Sequence, residues 1–215
     1  MSRILHLRAS PRGQESFSIR AAEAFLGSFL AVHKDCQCET LDLFSAEIPE
    51  FRAPAAKAKY AVMAGQTPTG EAERAWKPVL DTINHFKSAD AYVVSSPMWN
   101  FGIPYRLKDY LDVIVQPGLT FSYSPQAGYQ GLVKGKAMVL VLARGGAYGS
   151  GTGGEAYDHQ VTYLRTIFGF IGFSDIRTVL VEPTMMGGPQ AAEAALTKAG
   201  AELKAMALDP SLLPA

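Results

Sequence analysis

Seven consecutive residues, Ala137-Met138-Val139-Leu140-Val141-Leu142-Ala143, carry no polar side chain. Successive side chains of a strand face opposite ways, so a stretch that is apolar at every position needs cover on both faces of its sheet. That demand points to an interior strand of a parallel sheet, with helices above and below. Shorter runs of strand character occur at Ile4 to Leu7, Thr40 to Phe44, Ala91 to Val94 and Ile176 to Val181. Helical spacing fills the intervals. Ile19, Ala22, Phe25, Leu26, Phe29 and Leu30 mark the first helix, and others are predicted over residues 55–64, 71–88, 103–115, 158–171 and 190–208. Strands that alternate with helices join through right-handed crossovers. The expectation is an α/β three-layer sandwich around a five-stranded parallel sheet of order 2-1-3-4-5, with residues 1–215 as one domain.

Twenty basic residues balance twenty acidic ones, and this neutral sum lacks the basic footprint of a nucleic-acid binder. A small-molecule partner is the better expectation. His6, His33, His85, His159, Cys36 and Cys38 show no zinc-ligand spacing, so no metal site is expected. The two cysteines lie two apart among strand formers; they are expected to face opposite ways and to stay as thiols, the state suited to the cytoplasm. No apolar run approaches the ~20 residues of a membrane helix, and Arg8 interrupts the start before a signal-type segment develops. His6, inside the first strand, reads as a satisfied core histidine, and Lys108 as part of a solvated helix face.

In an open parallel sheet the ligand crevice lies beyond the carboxyl ends of the strands, at the point where strand order reverses. Three loops fall there. After strand 1, Ala9-Ser10-Pro11-Arg12-Gly13-Gln14-Glu15-Ser16-Phe17-Ser18 places Ser16 at a helix N-cap, with Ser10 and Ser18 as hydroxyl donors suited to a phosphate. Following strand 3, Ser95-Ser96-Pro97-Met98-Trp99-Asn100-Phe101-Gly102-Ile103-Pro104 surrounds one amide with large apolar side chains, a composition suited to a flat, partly polar ring. Beyond strand 4, the pair Gly145-Gly146 lets backbone N–H groups approach a ligand closely. None of these loops supplies an obvious nucleophile, and no G-x-S-x-G elbow surrounds Ser10 or Ser16. Gly151-Thr152-Gly153-Gly154 is not a dinucleotide fingerprint, since it does not join a first strand to its helix. Residues 117–135 read as an irregular aromatic insertion.

Together, S-P-R-G with Ser16-Phe17-Ser18, P-M-W-N-F-G-I-P with Leu107-Lys108 and Asp112, G-L-T-F-S-Y, G-L-V-K-G-K and R-G-G-A-Y resemble the FMN-dependent NAD(P)H azoreductase and quinone reductase family. The resemblance implies a flavodoxin-like homodimer that binds FMN and moves hydride from NADH or NADPH to quinones and azo compounds by a ping-pong mechanism. It also implies residue roles. Ser10, Ser16, Phe17 and Ser18 would hold the phosphate; Pro97, Met98, Trp99, Asn100 and Phe101 would wrap the isoalloxazine; Gly145 and Gly146 would donate to its pyrimidine edge. Tyr123 and Phe170 would line the substrate pocket, and Tyr148 is the candidate proton donor. Two positions depart from the pattern: Trp99 stands where relatives often have Tyr, and Ala143 where some have a hydroxyl residue. The competing reading is a flavodoxin-type electron carrier that turns over no small substrate.

Overall fold

The computed structural model describes residues 1–213, so the last two positions of the expected domain span lie outside it. Strand β6 (Ala137–Ala143) is buried at all seven positions, as its composition requires. It lies between β3 (Ala91–Pro97) and β7 (Asp175–Val181), while β1 (Ser2–Arg8) separates β3 from β2 (Cys36–Asp42). The sheet is therefore five-stranded and parallel throughout, in the order β2-β1-β3-β6-β7. Counting only these strands along the chain gives 2-1-3-4-5, the flavodoxin-like arrangement.

The two-residue period of the strands sends alternate side chains into separate cores. On one face Leu5, Leu7, Tyr92, Val94, Met138, Leu140 and Leu142 pack under α2 (Ala53–Met63), α3 (Gly70–Lys87), α4 (Tyr105–Ile114) and α5 (His159–Ile171). On the other, Ile4, Val93, Val139, Val141 and Val179 meet α1 (Phe17–Val32) and α6 (Gly188–Met206), chiefly Phe25, Phe29, Ala195, Ala199 and Leu203. Helix α3 shows how the pattern works: Trp76, Val79, Ile83 and Phe86 recur at helical spacing and form its buried stripe. His6 is 1% exposed, with Nε2 2.9 Å from Ser95 Oγ, a core histidine with a partner. Lys108 pairs with Asp112 across one helical turn.

Three expectations are corrected. Strand β2 starts at Cys36 rather than Thr40 and ends before Leu43 and Phe44; as an edge strand it is largely exposed and polar, so a search for apolar runs registers it too late. Cys36 and Cys38 face the same core, as residues two apart in a strand must, and both remain free thiols. Residues 117–135 are not irregular: β4 (Phe121–Ser124) and β5 (Gly128–Gly131) form an antiparallel hairpin. Its docking depends on two glycines, because a Cβ on Gly131 would overlap the backbone of Ile171 and Gly172 where α5 ends. Gly172, at φ +121°, adopts a backbone conformation that other residues rarely reach.

Candidate functional site

The loops leaving β1, β3 and β6 meet over one cleft of about 200 Å³, bordered by Ser10, Ser16, Phe17, Met98, Trp99 and Gly145, with Met185 from the loop after β7 at its rim. Sheet topology brings them together: β1 lies between β2 and β3, so the chain leaves β1 and β3 toward opposite faces and a gap opens between their ends. The cleft lining contains no histidine, cysteine or carboxylate. Neither Ser10 nor Ser16 therefore has a base beside it that would make it a nucleophile.

Helix α1 begins at Phe17, and Ser16 occupies the N-cap position in an extended conformation. Its side chain makes no cap hydrogen bond. Ser16 Oγ lies 3.1 Å from Ser18 Oγ instead, while Ser10 Oγ accepts from the backbone N–H of Arg12 at 3.4 Å. The first helical N–H to find a carbonyl is that of Arg20, to Ser16 at 2.9 Å. The N–H groups of Phe17, Ser18 and Ile19 are thus left for an anion at the positive end of the helix. Ser18, fully buried, supports Ser16 from below.

After β3, Met98 N–H donates to Ala143 O at 2.8 Å, continuing the sheet beyond its last paired residues. Trp99 and Gly102 then exchange both backbone hydrogen bonds, at 3.0 and 2.9 Å, across Asn100 (φ +47°) and Phe101 (φ +67°). Two positive φ values in succession define a type I′ turn. Asn tolerates that conformation, but for a bulky Phe it stores strain of about 1–3 kcal/mol. Aromatic neighbours brace the turn. Phe101 stacks on Tyr157 at 5.0 Å and meets Tyr148 edge-on at 6.0 Å, while Trp99 packs with Phe44 at 5.8 Å and Tyr105 at 6.4 Å. Phe44 is set in place by Arg106, which donates to the carbonyls of Leu43 at 2.7 Å and Ala46 at 2.6 Å.

The glycine pair is oriented through its carbonyls. Arg144 O accepts from Thr184 N–H at 2.8 Å, and Gly145 O accepts from Met185 and Met186 N–H at 3.1 and 2.9 Å. In a planar trans peptide the N–H points opposite to the C=O, so the amides of Gly145 and Gly146 face away from the 184–186 segment. Neither amide, nor that of Ala147, donates to any described residue. Gly146 is also closely packed, since a Cβ there would meet Met186 Sδ and Tyr148 Oη at 3.0 Å each. The hydroxyl of Tyr148 thus lies against Gly146, and Tyr148 is not among the residues lining the cleft.

Of the residues singled out in the sequence, the fold brings Ser10, Ser16, Phe17, Pro97, Met98, Trp99 and Gly145 to the cleft wall, with Ser18, Asn100, Phe101 and Gly146 next to them in the same loops. Tyr123 and Phe170 are not on that wall. They belong to an aromatic group where the hairpin meets α5, linked through Tyr129 at 4.9 and 5.5 Å. Sequence reading left the role of Arg106 open, beside Lys108 on a helix face, and gave the buried Arg144 none; the signal for the second was a lone charge directly after a wholly apolar strand. Among the described residues no cluster of three or more His, Cys, Asp or Glu could hold a metal, and no helix is long and apolar enough to cross a membrane.

An open parallel sheet with its donor loops gathered at the β1/β3 gap defines a flavodoxin-like protein, and the chain belongs to that family, whose profile matches residues 2–207. Its relatives are more particular. The FMN-dependent NADH:quinone oxidoreductase of Nitratidesulfovibrio vulgaris is 46% identical over 209 residues, covering 97% of this chain and 100% of its own. FMN-dependent NADH:quinone oxidoreductase 2 of Pseudomonas syringae pv. tomato is 40% identical, covering 95% and 97%. Among solved structures, an azoreductase from Bacillus anthracis str. Sterne superimposes with a TM-score of 0.86 at 30% identity, over 96% of this chain and 99% of its own. An FMN-dependent NADH-azoreductase from Bacillus anthracis str. Ames Ancestor, solved in complex with FMN, gives 0.84 at 28% identity, over 96% and 100%.

Proposed function

We propose that this protein is an FMN-dependent NADH:quinone oxidoreductase that also reduces azo compounds, acting in the cytoplasm as a homodimer of single-domain chains. The observation that carries the reading is the pair of unsatisfied amide rows, at Phe17–Ile19 and Gly145–Ala147, in loops that converge on a cleft without nucleophile or base. The donor set suits the parts of FMN. Ser10, Ser16, Ser18 and the first amides of α1 would take the phosphate; Pro97, Met98, Trp99, Asn100 and Phe101 would enclose the ring system; Gly145 and Gly146 would donate to the ring's polar edge. Bound there, FMN supplies the two-electron carrier between NADH and the acceptor.

The chain's own residues bind, orient and exclude water. The serine hydroxyls and the α1 amides would compensate phosphate charge, and Met98 and Trp99 would shield the ring system from water. The amides of Gly145 and Gly146 would stabilise negative charge on the reduced ring, one preorganised donor of this kind being worth about 2.7–4 kcal/mol. Tyr123 and Phe170 would complete the acceptor pocket from the partner subunit, and Tyr148 would supply a proton after a shift of its hydroxyl from Gly146. NADH and the acceptor would share the one cleft, and the expected kinetics are ping-pong.

The test is the visible spectrum of the purified protein before and after anaerobic NADH. Flavin bands that bleach with NADH and return on adding a quinone support the reading. A colourless protein that takes up no added FMN refutes it, and bound flavin that NADH cannot reduce would favour an electron carrier.

A further inference from the structure

Behind the glycine loop lies a buried ion cluster that the proposed chemistry leaves without a task. The Arg144 side chain is fully buried and donates to Asp158 at 2.7 Å, to Glu182 at 3.3 Å and to Gln160 Oε1 at 3.3 Å. Asp158 also caps α5, accepting from Val161 N–H at 2.9 Å, while Gln160 Nε2 donates to Ser96 O at 3.5 Å. The guanidinium thus ties α5 to the ends of β3 and β6. Glu182 faces the other way as well. Its two carboxylate oxygens accept the backbone N–H groups of Tyr148 at 3.0 Å and Gly149 at 3.2 Å. Stability is a weak reason to keep such charges buried, because well-packed apolar residues often serve as well or better in their place.

We propose that Glu182, held by Arg144, is a positioning residue that fixes the segment 144–149 so that the amides of Gly145, Gly146 and Ala147 stay free and directed at the ligand. The geometry clamps that segment at both ends. Arg144 anchors its start, through its side chain and through the bond from its N–H to Val181 O at 3.0 Å. Glu182 anchors its end at two successive amides. Between the anchors, Arg144 O is held by Thr184 N–H and Gly145 O by the amides of Met185 and Met186, which turns the N–H groups of Gly145 and Gly146 away from that segment. A carboxylate suits the task because every group around it is a donor: one guanidinium N–H and two peptide N–H groups. Glutamine in its place would turn an NH2 toward one of them.

The inference rests on the FMN reading for its ligand, and the experiment keeps the two apart. Glu182→Gln is compared with the wild-type protein by amide hydrogen exchange and by titration of the flavin-free proteins with FMN. Exchange at Tyr148 and Gly149, the two amides that donate to Glu182, is expected to accelerate about tenfold or more, the scale of a lost hydrogen bond to a charged group, while amides of β1 keep their wild-type rates. The FMN dissociation constant is expected to rise about tenfold as well, and the visible spectrum of the bound flavin to move toward that of free FMN. Should Glu182→Gln not fold, Glu182→Asp, which keeps the charge but falls one methylene short, takes its place with the same readouts. A variant with faster loop exchange but wild-type FMN affinity and spectrum overturns the proposal, as does unchanged exchange at Tyr148 and Gly149. Failure of the wild-type protein to take up FMN counts instead against the proposed function.

Discussion

His6 makes the stability of this protein depend on pH, with a sign and a size that follow from its position. The ring is buried in β1, and burial first, then the nearby Arg8 charge, pulls its pKa from 6.5 down to about 4. The unfolded chain takes up a proton as pH falls through the ordinary histidine range, while the folded chain does not until about pH 4. Within that window the unfolded state binds more protons, so stability falls as pH falls. Each unit of difference is worth 1.36 kcal/mol, which gives a loss of about 2 kcal/mol at pH 5 and about 3.4 kcal/mol well below pH 4. Against a typical total of about 5–15 kcal/mol this is a large share. His6→Gln retains an amide that can donate to Ser95 Oγ but does not titrate. Urea unfolding of both proteins, at one fixed FMN concentration, separates His6 from every other titrating group. Between about pH 7 and about pH 5 the wild-type protein should lose about 2 kcal/mol more than the variant. Parallel stability curves over that range would refute the argument.

Gly131→Ala forces a Cβ into the backbone at Ile171 and Gly172, so the hairpin must shift, at a cost of about 1–3 kcal/mol. For a chain of this length that corresponds to a melting temperature lower by several degrees, roughly 2–4 °C per kcal/mol, and an unchanged value would mean the hairpin is not firmly docked. Phe101→Gly sets two effects against each other: it relieves about 1–3 kcal/mol of strain at φ +67° and loses the contacts with Tyr148 and Tyr157, about 0.5–1.5 kcal/mol each. Denaturant unfolding should place its stability within about 1 kcal/mol of wild type, with weaker FMN binding; a loss above about 3 kcal/mol would make Phe101 a core residue instead.

The parts of the fold legible in the sequence were those where burial leaves no freedom. β6 is apolar at each position and coincides with the expected strand to the residue, because no polar group there could find a partner. The first half of β2 escaped because an edge strand has one open side, and Gln37, Glu39 and Thr40 face solvent. The hairpin escaped because four-residue strands of Gly, Ser and Tyr carry little periodicity, and its docking depends on Gly172, far along the chain. In the candidate site, the three loops could be placed from their positions after strands, since topology alone sends those ends to one edge. What pairs with what across the chain could not be read: Glu182 lies 38 residues from Arg144, and Arg106 lies 63 from Leu43. The separation of Tyr123 and Phe170 from the cleft wall likewise depends on how the hairpin docks.

The strand order also governs how a growing chain can assemble. β1 is synthesised first but lies inside the sheet, so it keeps one open edge until β3, residues 91–97, has been made. β6 poses the sharper problem, since it is apolar throughout and its partner β7 is made only after α5. Until then seven apolar residues present an unpaired backbone edge, the kind of surface on which strands of other chains add. Substitutions that delay β7 and α6 would therefore show first as aggregation during synthesis, even where the finished fold retains its stability.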